Sequence, residues 1–283
     1  MTVSVTDLGA LMRAPGGGPA DPVAFTTVVD PVFTIGPKVH GGALQVVTAH
    51  AAVAAVERPE MVPVAISSDY LRAPEPREVA VVATVVKRGR RVCLVDVVVT
   101  QDGRDAVRSV VTLAEPDHGA PRHSGVPAAL AAMPPEPTSD AVPVRDSPIA
   151  DIVHLAAAVD MSYDRSSVPV LTGERGAPET RFWARPVDGD PDGFFAILGC
   201  DLSMPVVMNL GLLGWAPTLQ MTTYLRRHPA PGWLRARTTS SEIGQGWFEE
   251  DHLIIDSTGA VVAQSRQLAL IPDTAERPQE EQG

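Results

Sequence analysis

Hydrophobic and polar positions alternate along residues 259–272, GAVVAQSRQLALIP, and the same frame occurs without a gap at residues 103–116, GRDAVRSVVTLAEP. Glycine, serine and proline recur at the same offsets. The period of two predicts half-buried strands, with Val107, Ser109, Val111 and Leu113 on one face and Ala263, Ser265, Gln267 and Ala269 on the matching face. Gln267 breaks the match: a glutamine where its twin is Val111 must find hydrogen-bond partners or cost about 1–3 kcal/mol. Residues 43–57, ALQVVTAHAAVAAVE, read as a helix that is apolar almost all round, so other structure must enclose it. Strand-like stretches at 62–71, 78–99 and 106–114 make a curved sheet the expected wrapper, with Asp102-Gly103 as a tight hairpin turn. Before them come a short helix at 6–12 and a strand at 23–33. Between those two, Gly16-Gly17-Gly18-Pro19 lacks the Lys-Ser/Thr of a phosphate-binding loop and reads as a flexible connection.

From 116 to 148 the prolines at 121, 127, 134, 135, 137 and 143 interrupt any regular element, and this long stretch predicts a linker. Beyond it the first pattern returns: strands at 160–164 and 181–187, an apolar helical stretch at 193–210, then strands at 218–227, 233–240, 247–256 and 261–271. Tyr70-Leu71-Arg72 and Tyr224-Leu225-Arg226 supply a second anchor at an offset of 154 residues, against 156 for the strand repeat. The reading is two domains, 1–117 and 149–273, joined by a Pro-rich linker at 118–148 and followed by a charged tail at 274–283 expected to be disordered.

With both anchors fixed, the second copy is polar where the first is not. Gln267 stands against Val111, Thr218 against Val64, and Asp201 against Ala43. An Asp, a Thr and a Gln on a helix and two adjoining strands predict a buried polar cluster. Asp201 could then act as general base toward a water held by the Gln267 amide, with Thr218 as a further partner. Burial would raise the aspartate pKa and hydrogen bonds would lower it again. A carbonyl under attack needs backbone N–H donors, and Gly41-Gly42 at a helix start fit that role, being small enough for close approach. The structural alternative is that Asp201 caps a helix restarting at Pro205 while Thr218 and Gln267 are ordinary strand residues.

At these residues the chain resembles the acyl-CoA thioesterase II family. His40-Gly41-Gly42-Ala43-Leu44-Gln45 is similar to the family's Gly-Gly helix start, and Asp201-Leu202-Ser203-Met204-Pro205 to its aspartate segment. Thr218-Leu219, Trp233-Leu234 and Gln267 fall where its strand threonine, next strand and late glutamine are expected. The resemblance implies an α+β double hotdog, two fused antiparallel sheets each wrapping a long apolar helix. It also implies that Asp201, Thr218 and Gln267 are the catalytic set. The substrate would be acyl-CoA, hydrolysed to free fatty acid and CoA with no cofactor. Gln220 stands where the family often has an acidic residue, and the loop from Asp201 to Thr218 is shorter than in the best-known members, which bears on substrate preference.

Charge and composition narrow the alternatives. Basic residues number 23 against 34 acidic, and the net charge of −11 argues against nucleic acid or an anionic membrane as partner. Lys87, Arg88, Arg90 and Arg91 nevertheless cluster at a strand turn; Arg88 and Arg90 are candidates for the coenzyme A phosphates, a solvated hairpin tip being the competing reading. Only Cys93 and Cys200 occur, too few for a disulfide framework or thiolate metal site, and both read as small buried hydrophobes. His40, His50, His154, His228 and His252 show no metal-ligand spacing, so no metal is expected, and His40 reads as a loop residue rather than a base. No Gly-x-Ser-x-Gly elbow occurs, which disfavours a serine hydrolase of the α/β type. Without a basic N-terminal region or an apolar run of about 18 residues, no membrane span is expected and the location reads as cytoplasmic. A homo-oligomer, a dimer, is the expected assembly. Two function classes follow: a thioester hydrolase, or a non-catalytic acyl or acyl-CoA binding protein of the same shape.

Overall fold

The computed structural model of the protein describes residues 3–10, 12–13, 22–145, 147 and 149–272; the Gly16-Gly17-Gly18-Pro19 stretch and the tail at 274–283 lie outside them. The first half runs β1 (Met12–Arg13), β2 (Val23–Val28), β3 (Thr34–Ile35), β4 (Lys38–Val39), α1 (Gly41–Val56), β5 (Val62–Tyr70), β6 (Glu78–Arg88), β7 (Val92–Gln101) and β8 (Arg104–Ala114). The second half runs α2 (Ala128–Ala131), β9 (Val142–Pro143), β10 (Val159–Tyr163), β11 (Glu179–Pro186) and α3 (Gly193–Gly199). It closes with β12 (Thr218–Leu225), β13 (Leu234–Thr239), β14 (Trp247–Ile255) and β15 (Val261–Leu270). In place of the helix expected at 6–12 there is a 3-10 turn, Val5–Gly9, held by a Ser4/Asp7 capping box.

The alternation of the repeat is realised as read. Val107, Ser109, Val111 and Leu113 on β8 and Ala263, Ser265, Gln267 and Ala269 on β15 are all buried. The two halves do not form separate sheets. β5 pairs antiparallel with β12, giving one 13-stranded sheet in the order β1-β2-β6-β7-β8-β5-β12-β15-β14-β13-β11-β10-β9. Each half taken alone would leave β5 or β12 as an edge with unpaired N–H and C=O groups, and pairing them removes both edges.

The pairing corrects one register. Ser68 opposite Ser109 on β5 and β8 recurs as Thr223 opposite Ser265 on β12 and β15, and the irregularity after Pro63 recurs after Thr218. Thr218 therefore matches Pro63, not Val64. The Tyr-Leu-Arg anchors are one residue out of step, and a slip of one reverses every face: Tyr70 donates from its hydroxyl to the Gly41 carbonyl, whereas Tyr224 is 44% exposed.

Helix α1 is the long apolar element expected, 16 residues with most of them buried against β5, β6, β7 and β8. Its counterpart is not. The helix read over 193–210 is the seven-residue α3, followed by a loop and a 3-10 turn at Val206–Leu210. Pro205 has no N–H to donate and its ring would clash with the carbonyl of residue 201, so the helix cannot run through. The two helices pack antiparallel, the His50 ring stacking on Phe194 at 3.6 Å while Gly42 meets Asp201. Part of the Pro-rich stretch packs as well. Leu130 and Met133 are buried with Trp183 and Ile255, and β9 pairs with β10. Among the described residues no helix is long and apolar enough to cross a membrane.

Candidate active site

His40 ends the β3–β4 hairpin and caps α1, its Nδ1 accepting from the Ala43 N–H at 3.4 Å. A backbone carbonyl only accepts, so the 2.8 Å contact between His40 Nε2 and the Asp201 carbonyl oxygen puts the ring proton on Nε2. The same Nε2 lies 3.5 Å from Asp201 Oδ2, and the Gly42 N–H donates to that oxygen at 2.6 Å. Glycine is required at both positions by this approach. A Cβ on Gly41 would come within 2.9 Å of Asp201 Oδ2, and one on Gly42 within 2.9 Å of the Asp201 Cβ. Burial pushes the Asp201 carboxyl above the usual aspartate range, while His40 and the Gly42 N–H oppose the rise.

A second polar chain crosses β12, β15 and β14. Thr218 Oγ1 donates to Gln267 Oε1 at 3.0 Å, and Gln267 Nε2 donates to Glu250 Oε2. Glu250 and Gln267 stand directly opposite each other on β14 and β15. The other carboxylate oxygen, Glu250 Oε1, accepts from the Val206 N–H at 2.6 Å. Glu250 is only 1% exposed. Burial pushes its carboxyl up to about 7, the negative charges of Asp201 and Glu249 add to the rise, and the Val206 and Gln267 donors oppose it.

The loop between α3 and the turn at Val206 is held from several sides. Ser265 Oγ donates to the Cys200 carbonyl at 2.9 Å, Ser203 Oγ lies 3.0 Å from His252 Nε2, and the Met204 N–H donates to the Tyr163 hydroxyl at 2.7 Å. Burial lowers His252 to about 4, so it stays an uncharged imidazole at neutral pH, and its Nδ1 has no hydrogen-bond partner among the described residues. An apolar cavity of about 20 Å³ lies beside His40 and Leu202, lined also by Ile35, Leu155, Val159 and Met161.

Of the residues singled out from the sequence, Thr218 and Gln267 are directly bonded, and Asp201 is bonded to Gly42 and His40 rather than to either of them. The two groups meet through Glu250 and the loop that follows Asp201. Gly41 and Gly42 stand at the carboxylate, but the Gly42 N–H is given to it; the Gly41 N–H, at the first helical position, has no intrahelical acceptor. Arg88 does other work: its Nη1 and Nη2 donate to the Val56 and Ala55 carbonyls at 2.8 and 3.3 Å, closing the C-terminus of α1. A helix of 16 residues spans about 24 Å, so Arg88, and Arg90 beside it, lie at the far end of α1 from Asp201. Cys200 is fully buried and its thiol is pushed up by desolvation, which disfavours a thiolate nucleophile.

Glu250, His252 and Tyr163 were not singled out from the sequence, and His40, read there as a loop residue, caps α1 and contacts Asp201. For Glu250 and His252 a signal existed: Phe248, Glu250, His252 and Ile254 alternate onto one buried face, and a charged residue on such a face needs a partner. The run Glu249-Glu250-Asp251 hid it by resembling a solvated acidic stretch.

Comparison with known proteins agrees with this architecture. A family profile described as the acyl-CoA thioesterase C-terminal domain matches residues 127–271, and one described as the acyl-CoA thioesterase N-terminal domain matches residues 28–114. An uncharacterised protein of Mycobacterium tuberculosis is 43% identical over 278 residues, covering 90% of this chain and 93% of that protein. Among solved structures, a candidate thioesterase II of Thermobifida fusca superposes with a TM-score of 0.80 at 28% identity, covering 95% of this chain and 97% of the other. A hotdog-fold protein of unknown function from Alicyclobacillus acidocaldarius gives 0.76 at 19% identity, covering 96% and 99% of the two chains. At that identity the likeness speaks for the fold alone.

Proposed function

The chain belongs to the acyl-CoA thioesterase family, and we propose on that premise that it hydrolyses the thioester of acyl-CoA to a free acid and CoA, with Asp201 as general base. The observation that carries the reading is the Asp201 carboxylate, its side chain only 11% exposed, set against the start of α1 on a loop tied to the Thr218–Gln267 pair through Glu250. A raised aspartate pKa suits a base, because proton abstraction is most effective when the pKa approaches the working pH.

In this mechanism Asp201 takes a proton from water while the water oxygen bonds to the thioester carbon and the carbonyl π pair moves onto its oxygen. In this reading the Gly41 N–H, without an intrahelical acceptor, donates to that oxyanion at the positive end of α1. One Gln267 Nε2 hydrogen goes to Glu250, and the other is available to hold the water. Collapse breaks the C–S bond, and the proton on Asp201 returns to sulfur, releasing the CoA thiol and the acid.

Free-thiol release from acyl-CoA esters of graded chain length tests the reading. At least one chain length is expected to be hydrolysed well above the uncatalysed rate; no thiol release across the panel would contradict it and favour an acyl-CoA binder of the same fold.

A further inference from the structure

An amide such as Gln267 fits its site in two orientations of the same shape and opposite polarity. Thr218 cannot choose between them, because a hydroxyl both donates and accepts. Glu250 can. We infer that Glu250 is a positioning residue for this reaction, its single carboxylate fixing the orientation of the Gln267 amide and anchoring the main chain of the Asp201 loop at Val206. The inference rests on the hydrolase reading for its catalytic meaning, though not for its geometry.

An ionised carboxylate only accepts, so Nε2 of Gln267 must face Glu250, Oε1 must face Thr218, and the Thr218 hydroxyl is left to donate. The second Nε2 hydrogen is thereby the group presented to the substrate side. A protonated Glu250 carries an O–H that can donate to Oε1 of a flipped amide, which would present oxygen instead. Glu250 Oε1 meanwhile accepts from Val206, five residues after Asp201, so the same group sets the position of the base and the polarity of the amide.

The charged and titratable surroundings of Glu250 are few. Asp201 approaches from the loop after α3, Glu249 is its neighbour on β14, His252 shares its buried face of that strand, and the Tyr163 phenol approaches from β10. Among the described residues no arginine or lysine forms an ion pair with it. With burial and, to a smaller extent, two carboxylates opposing its charge and hydrogen-bond donors favouring it, the ionisation of Glu250 falls near neutrality, where it can act.

The substitution Glu250→Gln keeps the size of the side chain and places an NH₂ group against Gln267, which must flip to meet it. The expected result is a kcat lower by roughly 10- to 100-fold with KM within about twofold, and loss of the limb of the pH–rate profile centred near pH 7. Glu250→Asp, which keeps an acceptor-only group, should recover part of kcat at pH 8. A readout independent of turnover is the NMR titration of the Gln267 side-chain amide from pH 5 to 9: its resonances should move with a midpoint near 7 in the parent and stay still in Glu250→Gln. An unchanged kcat and pH profile in Glu250→Gln overturns the inference, as do parent amide resonances that do not titrate. If the parent cleaves no acyl-CoA, the hydrolase reading fails while the amide titration still decides the role of Glu250. If Glu250→Gln does not fold, the parent titration and Glu250→Asp decide it.

Discussion

Glu250 and Gln267 face each other across β14 and β15 with their polar ends shut inside the fold, so the pair leaves a mark on stability as well as on chemistry. The sign follows from proton binding. Burial raises the Glu250 carboxyl from 4.5 to about 7, so between those values the folded chain holds more protons than the unfolded one. Stability from this group is therefore fully present below pH 4.5, falls as pH rises through 7, and is flat above; the loss is roughly 3 kcal/mol. Half-buried His50 and buried His252, both lowered to about 4 by desolvation, act in the opposite direction, losing stability as pH falls from 6.5. The difference between parent and Glu250→Gln isolates the carboxyl. Urea unfolding should show the parent losing about 3 kcal/mol relative to the variant between pH 4.5 and pH 8. A pH-independent difference would mean that burial does not raise this group. At this scale the sequence carried Gln267, because a polar residue in a repeated apolar frame stands out, whereas Thr218 was singled out through the Tyr-Leu-Arg register that the strand pairing shifts by one residue. It hid Glu250 inside an acidic run, where only the alternation with Phe248, His252 and Ile254 separates it from a solvated charge.

Among the elements, the contrast between α1 and α3 organises the site. Helix α1 runs uninterrupted because nothing in residues 43–56 breaks it, and its apolar circumference was legible as burial on all sides. Pro205 bars one continuous helix over 193–210, although α3 already ends at Gly199, and an apolar stretch on both sides of a proline reads as one helix until the packing is known. The truncation matters, since it leaves Cys200 to Pro205 as a loop that turns Asp201 toward the start of α1. Helix α1 is in turn pinned to both halves by Gln45. Its Oε1 accepts from Thr223 Oγ1 on β12 at 2.7 Å, and its Nε2 donates to Ser68 Oγ on β5 at 3.2 Å and to the Met221 carbonyl at 3.1 Å. Replacing Gln45 with Leu strands those buried groups and should destabilise the protein by about 2–4 kcal/mol in urea unfolding. A change under about 0.5 kcal/mol would show that water or rearrangement satisfies them.

For the molecule as a whole, duplication explains why the site lies where it does. The strand repeat at an offset of 156 residues was legible, since β8 and β15 keep glycine, serine and proline in register. The join between β5 and β12 was not, because long-range pairing leaves no periodic mark along the chain and the Tyr-Leu-Arg anchors pointed one residue astray. That join makes one sheet of two copies and places α1 of the first half against the Asp201 loop of the second. His40, Gly41 and Gly42 then come from one half and Asp201, Thr218, Glu250 and Gln267 from the other. Neither half alone assembles the site. The most direct test is kcat for acyl-CoA hydrolysis, measured by thiol release on the best chain length, in the parent and in Asp201→Asn. A general base is worth about 10²- to 10⁴-fold, so the account predicts a fall of that size with the fold intact. An Asp201→Asn protein that turns over at the parent rate would contradict it.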